Sequence, residues 1–162
     1  MKKILLSTSV AALLTGCAAP SIQAPYDPGR NYIETYNGEF SQVWEATVDW
    51  FATNNIPIKN IEKASGIIGS DYALGASHSQ IDCGAIDVGS MYVLRDVNAT
   101  ANLNVLVREQ AGRVSVQPNI FGNASYTLQS TWDGSLAVVK PDRCISTGEL
   151  ERSLHQYLSS RF

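Results

Sequence analysis

The sequence has little of the chemistry that enzymes use. Its 162 residues include two histidines, His78 and His155, and three cysteines. A Ser-His-Asp triad therefore has few ways to form, and the chain contains neither a G-x-S-x-G elbow nor an H-E-x-x-H motif. We expect a protein that is not an enzyme, with no catalytic residues, no metal site and no cofactor. A hydrolase is kept only as a minor alternative.

Basic residues are also few. The chain has 12 Lys and Arg against 15 Asp and Glu, a formal net charge of −3. After Lys2 and Lys3, no cluster of basic residues follows. This excludes the electrostatic footprint of a nucleic-acid-binding protein. The length and the hydrophobic fraction of 44% are those of one ordinary globular domain.

The first seventeen residues, MKKILLSTSVAALLTGC, carry the clearest signal. Lys2 and Lys3 precede an apolar stretch from Ile4 to Leu14, which has the length of a secretory h-region and is too short to span a bilayer. The stretch ends in Leu14-Thr15-Gly16-Cys17, which resembles the lipobox of bacterial lipoproteins. The resemblance implies cleavage before Cys17 and attachment of diacylglycerol and an N-acyl chain to Cys17. The alternative is an ordinary cleaved signal with an accidental cysteine.

Three segments are expected: a cleaved signal over 1–16, a lipidated and extended tether over 17–37, and a single domain over 38–162. The tether is not expected to form a helix, because it contains Pro20, Pro25 and Pro28. Removal of the signal leaves a net charge of −5, so membrane attachment depends on the acyl chains. Ala18 stands where an Asp would mark inner-membrane retention in enteric lipoproteins. We therefore expect the outer membrane, on its periplasmic face.

Cys83 and Cys144 remain as an even pair in an exported protein, a setting in which disulfides form and persist. We predict one bridge between them. The alternative is a free Cys83 thiol that acts as a nucleophile with His78 as its base.

The hydrophobic pattern predicts two amphipathic helices and an antiparallel hairpin. Apolar residues recur at helical spacing from Phe40 to Phe51, and again from Leu150 to Leu158, where Ser146 and Glu149 fit a capping box. Apolar and polar residues alternate over Thr100–Val107 and again over Arg113–Gln117, and a short turn separates the two runs, which indicates the hairpin. Pro118 is expected to lie beyond the paired region. The predicted fold class is α+β: a small antiparallel sheet packed by two amphipathic helices in a two-layer sandwich.

Two stretches rich in polar residues and glycine are predicted to be loops, Gly75 to Ser90 and Ser130 to Asp142. Asp82 and Asp87 in the first are interpreted as solvated rather than as a metal pair, because their spacing fits no known ligand set. His155, beside the apolar stripe of the second helix, is interpreted as an ordinary surface or boundary histidine.

The segment Phe40-Ser41-Gln42-Val43-Trp44-Glu45-Ala46, followed by Ser65-Gly66-Ile67-Ile68, is similar to the repeat domains of BamC-type outer-membrane assembly lipoproteins. The similarity covers Phe40 to Ser70. The family has two such domains where this chain has one, and the cysteine pair is not part of its pattern. Asp82-Cys83-Gly84 together with residues 144–151 also looks like a set of uncharacterised Gram-negative lipoproteins.

These features favour a lipid-anchored periplasmic module that binds envelope or outer-membrane proteins as a structural or assembly subunit. The alternative is a carrier that holds an apolar ligand between the sheet and the first helix. Large aromatic side chains would line such a cavity, although we expect them to fill a core instead: Trp44, Trp50, Phe51 and Trp132.

Overall fold

The computed structural model describes residues 19–75 and 79–162, and its architecture is mostly β, with 46% strand and 18% helix. The expectation of a small sheet in a helix-packed α+β sandwich is wrong, because a large antiparallel sheet of six strands dominates the fold and the two helices are short. The signal segment, Cys17 and His78 lie outside the described residues.

The secondary structure consists of ten strands and two helices within the described ranges. In chain order these are β1 (Ser21–Gln23), β2 (Glu34–Tyr36), α1 (Phe40–Thr53), β3 (Asn60–Glu62), β4 (Ile67–Gly75), β5 (Ile81–Asp82), β6 (Ala85–Asp87), β7 (Tyr92–Gln110), β8 (Arg113–Ser130), β9 (Leu136–Val139), β10 (Ile145–Ser146) and α2 (Glu149–Ser159).

The main sheet is built around one long hairpin of β7 and β8, which contain 19 and 18 residues. The strand order is β2-β8-β7-β4-β3, and β9 pairs with the far end of β8. Ala111 and Gly112 connect the two long strands, both with positive φ, as a two-residue hairpin turn requires. Pairing then continues from Gln110 opposite Arg113 to Tyr92 opposite Ser130.

The predicted hairpin is confirmed at its centre, but its strands run much further than the sequence indicated. Pro118 is not beyond the paired region: it lies opposite Val105 in the middle of β8. Counting from the turn, this is a non-hydrogen-bonded pair, so the missing N–H of Pro118 removes no bond to β7. The stretches predicted as loops also contain strands, β5 and β6 in the first and β9 in the second.

Both helices pack on one end of this sheet, as their apolar stripes predict. Val43, Trp50 and Phe51 of α1 are buried with Leu154 and Leu158 of α2. They cover the inward side chains of the hairpin near its turn, namely Leu103, Val105, Val107, Val114 and Val116. The helices also meet each other, because the Trp50 indole N–H donates to the Ser153 hydroxyl at 3.3 Å.

A second core fills the other end of the sheet without help from either helix. Its members are Ile81, Cys83, Ala101, Ala124, Tyr126, Leu128 and Cys144. Two small ribbons, β1 with β6 and β5 with β10, cover it. Gly122 allows close approach here, since a Cβ at this position would lie 3.0 Å from Cβ of Cys144.

The N-terminal segment is extended and lies along the domain. Strand β1 pairs with β6, and β2 extends the main sheet by pairing with β8. In the sequence, only residues 18–20 separate Cys17 from the first paired strand.

The predicted Cys83–Cys144 disulfide is present and joins residues 61 apart in sequence. Replacing both cysteines with serine frees this loop in the unfolded chain, so we expect the free energy of unfolding to fall by about 2–4 kcal/mol. The measurement is urea unfolding of the lipid-free Cys17→Ala protein with and without the two substitutions.

A reductant provides the control for this prediction. It should destabilise the protein with the disulfide by a similar amount and leave the double-serine variant unchanged. Equal unfolding midpoints for the oxidised protein and the variant would show that the bridge contributes nothing.

Candidate functional site

The structure accounts for the predicted site residues in the described part of the chain. Cys83 is buried and bonded to Cys144. The alternative of a Cys83 nucleophile is therefore wrong, because it needs a free thiol. Lipidation of Cys17 stays a prediction, since that residue lies outside the described ranges.

His155 is buried and not at the surface, which corrects the expectation. Its Nε2 lies 2.9 Å from the Tyr32 carbonyl oxygen and its Nδ1 lies 2.7 Å from the Tyr36 hydroxyl. A carbonyl only accepts, so we infer that Nε2 carries the proton and that the Tyr36 hydroxyl donates to Nδ1. Burial raises the pKa of Tyr36, and the nearby Glu34 carboxylate adds to the effect. His155 thus fastens α2 to the N-terminal segment.

Asp82 and Asp87 are the last residues of β5 and β6. The Oδ1 atom of each accepts a hydrogen bond from a backbone N–H, that of Gly84 at 2.8 Å and that of Gly89 at 2.9 Å. Within residues 19–75 and 79–162, no three His, Cys, Asp or Glu side chains are grouped so as to hold a metal ion. The helices described there are also too short or too polar to cross a membrane.

An open cleft of about 770 Å³ lies beside β8. Along residues 117–123, β8 has β7 on one side, while on the other side β2 has ended and β9 has not begun. A single bridge between Gly122 and Cys144 crosses this gap in the described structure. Residues 26–32 and 142–147 form the walls, and Glu151 of α2 also lines the cleft.

Glu151 is the unusual group in this cleft. Its side chain belongs to a residue only 1% exposed, and Oε2 has no hydrogen-bond partner among the described residues. Burial raises its pKa, although a hydrogen bond from the Ser146 hydroxyl and the charge of Arg152 oppose the rise. The carboxyl therefore holds its proton to a higher pH than an ordinary glutamate.

The start of α2 explains how Glu151 comes to be buried. The predicted capping box of Ser146 with Glu149 is wrong, because the N-cap is Gly148 and the third helical residue is Glu151. Gly148 has a φ of 81°, and a Cβ there would overlap the Tyr32 hydroxyl. That hydroxyl is itself buried and has no partner within the described chain.

A second feature is an exposed group of apolar side chains at the far end of the sheet. On the outer face of the sheet, Val93 of β7 and Leu136 of β9 lie on either side of Gln129 in β8. Two residues further along β9, Val138 lies opposite Thr127 of β8. Leu136 is 67% exposed, Val138 61%, and Trp132 in the preceding turn 87%. We call Val93, Trp132, Leu136 and Val138 the distal apolar surface.

The turn that carries Trp132 is held by hydrogen bonds. Oδ1 of Asp133 accepts from the backbone N–H of Ser135 at 3.0 Å and from its hydroxyl at 2.7 Å. Hydrogen bonds from Ser130 and Ser135 lower the pKa of Asp133 to about 2, so the carboxylate stays charged at neutral pH. The indole is thereby presented to solvent on an ordered turn.

Neither Glu151 as a buried group nor the distal apolar surface is marked by the sequence. An acidic residue in the first turn of a helix is ordinary, so nothing local marked Glu151 as buried. Trp132 was expected to fill a core or to line a cavity, but the Gly- and Asp-containing turn directs it outwards.

Comparison with known proteins adds no assignment: no family model matches the chain, and no curated protein is similar to it at a significant level.

The raised pKa of Glu151 predicts a pH-dependent stability. A carboxyl whose pKa is higher in the folded state stabilises the fold fully below its ordinary value of 4.5 and loses that contribution as the pH rises. We expect Glu151→Gln to flatten the decline in the free energy of unfolding above pH 4.5, because glutamine does not ionise.

Glu149→Gln is the matched control, because Glu149 is an exposed acid in the same helical turn. It should leave the shape of the stability curve unchanged. Urea unfolding between about pH 4.5 and 8 makes the comparison. Parallel curves for wild type and Glu151→Gln would contradict the raised pKa.

Proposed function

We propose that this protein is a lipid-anchored periplasmic module that binds envelope proteins, as a structural or assembly subunit of an outer-membrane complex. The signal and Cys17 support the location, and the likeness to outer-membrane assembly lipoproteins supports the role. The observation that carries the binding claim is the distal apolar surface.

The distal apolar surface has the properties of a protein contact. Large apolar side chains that lie next to one another on the surface of a domain often mark an interaction site. Tryptophan dominates the energetics of many interfaces, and Trp132 is 87% exposed. Strand β9 pairs only with β8 in the described sheet, so its other edge is open to an added strand.

The alternative of an apolar-ligand carrier receives no support from the place where we expected its cavity. Between the sheet and α1, Trp44, Trp50 and Phe51 are buried in contact with other core side chains. Those aromatic rings fill the space that a ligand would occupy. Trp132, the fourth aromatic of that set, lies in an exposed turn.

The anchor also limits where the domain works. Only residues 18–20 precede β1, so a lipidated Cys17 would hold the fold within about 10–15 Å of the membrane surface. Partners that the domain reaches would then themselves be close to the membrane.

Replacing Cys17 with alanine tests the anchor. Without a thiol, no diacylglycerol is attached, so the protein should move from the membrane pellet to the soluble periplasmic fraction. Fractionation followed by immunoblotting makes the measurement. Retention in the pellet would mean that a partner, and not the lipid, holds the protein at the membrane.

Two substitutions on the distal apolar surface test the binding claim. Trp132→Ser with Leu136→Ser removes its two most exposed side chains. Pull-down of the full-length lipidated protein in mild detergent, with mass spectrometry, should recover a stoichiometric set of envelope proteins that the double variant loses.

Ile61→Ser is the matched control, since Ile61 is an exposed apolar residue on the edge strand β3, away from this surface. It should retain the same proteins. Identical recovery with all three proteins would refute the claim. Loss of binding to protein-free lipid vesicles by the double variant would instead identify the bilayer as what this surface contacts.

A further inference from the structure

The cleft beside β8 is separate from the distal apolar surface and has the features of a built site. Its floor is the part of β8 that pairs with β7 but with neither β2 nor β9. In the register of the hairpin, even-numbered residues of β8 direct their N–H and C=O groups away from β7. Val114 and Val116 pair with β2 there, whereas no described strand pairs with Pro118 or Ile120.

Two buried polar atoms in the cleft lack partners in the described structure. They are Oε2 of Glu151 and the hydroxyl of Tyr32. Both residues line the cleft, but the two atoms themselves are fully buried. An occupant therefore lies over these residues and hydrogen-bonds to the exposed polar groups of the lining instead.

The exposed parts of the cleft combine aromatic rings with amides. Tyr26 is 84% exposed and Phe121 is 57% exposed, and both line the opening. The lining also contains amide side chains, each of which can both donate and accept hydrogen bonds: Asn31, Gln117, Asn119 and Asn123.

Acidic groups outnumber basic groups in the cleft. Arg143 and Asp27 form a salt bridge of 2.9 Å. Arg30, Asp82, Asp142 and Glu151 are also in the lining, so four carboxyl groups accompany two guanidinium groups. An anionic ligand is therefore not favoured, and a purely apolar one would displace water from the amides without replacing its hydrogen bonds.

We propose that this cleft binds a short, hydroxyl-rich saccharide chain. A pyranose ring has apolar C–H faces and polar edges, which match exposed aromatic rings beside amide and carboxyl groups. Tyr26 and Phe121 pack against the C–H faces, while the amide side chains of the lining hydrogen-bond to the hydroxyls. The volume of about 770 Å³ lies within the usual range of small-molecule sites, about 300–1,000 Å³.

The test is titration of the lipid-free Cys17→Ala protein with three trisaccharides, chitotriose, cellotriose and maltotriose, followed by NMR or calorimetry. We expect at least one to bind saturably with a Kd of about 1 mM or tighter. Tyr26→Ala and Phe121→Ala should each weaken that binding about fivefold or more, since each removes a ring that the sugar covers.

Ile61→Ala is the control, because it removes an exposed apolar side chain outside the cleft. It should leave the saccharide Kd unchanged. Trialanine is titrated in parallel as a peptide probe. The proposal is wrong if no trisaccharide binds at about 10 mM, if the two cleft variants bind as wild type does, or if trialanine binds in the cleft and the sugars do not.

Discussion

Backbone pairing between β7 and β8 is the constraint on which the rest of the structure depends. At about 3.3 Å per residue, each strand is roughly 60 Å long, far beyond the usual strand. One face of this hairpin supplies Val105 and Val107 to the first core and Ala124 and Leu128 to the second. A slip of one residue would turn all of these side chains outwards. The Ala111-Gly112 turn sets the register that prevents it.

The two ends of the hairpin are covered by different means, and this difference places the candidate sites. Near the turn, α1 and α2 close the core with large aromatic side chains. At the far end, the cover consists of a disulfide and two short ribbons. No described strand pairs with β8 between β2 and β9, which leaves the cleft, and the face of β9 opposite the second core is exposed. The distal apolar surface and the second core thus lie on opposite faces of the same part of the sheet.

The sequence predicted the parts of the fold whose hydrophobic period is regular. Both helices and the middle of the hairpin followed from spacing alone. The far ends of the two long strands did not. In β7, the bulge between Leu94 and Asp96 breaks the alternation of polar and apolar residues. In β8, the strand continues through Pro118 and Gly122, which are residues typical of strand ends and turns. The cleft could not be predicted, because its walls, residues 26–32 and 142–147, come together with Glu151 only in the folded chain. Contacts between residues more than a hundred positions apart leave no local pattern.

Hydrogen–deuterium exchange of the full-length lipidated protein, alone and in a mild-detergent envelope extract, tests the central claim that the distal apolar surface is covered by a partner. Exchange should slow at residues 91–94 and 131–139 in the extract and stay unchanged in α1, because only the first two segments form that surface. Unchanged exchange at both segments, or protection confined to α1 and β3, would contradict the account.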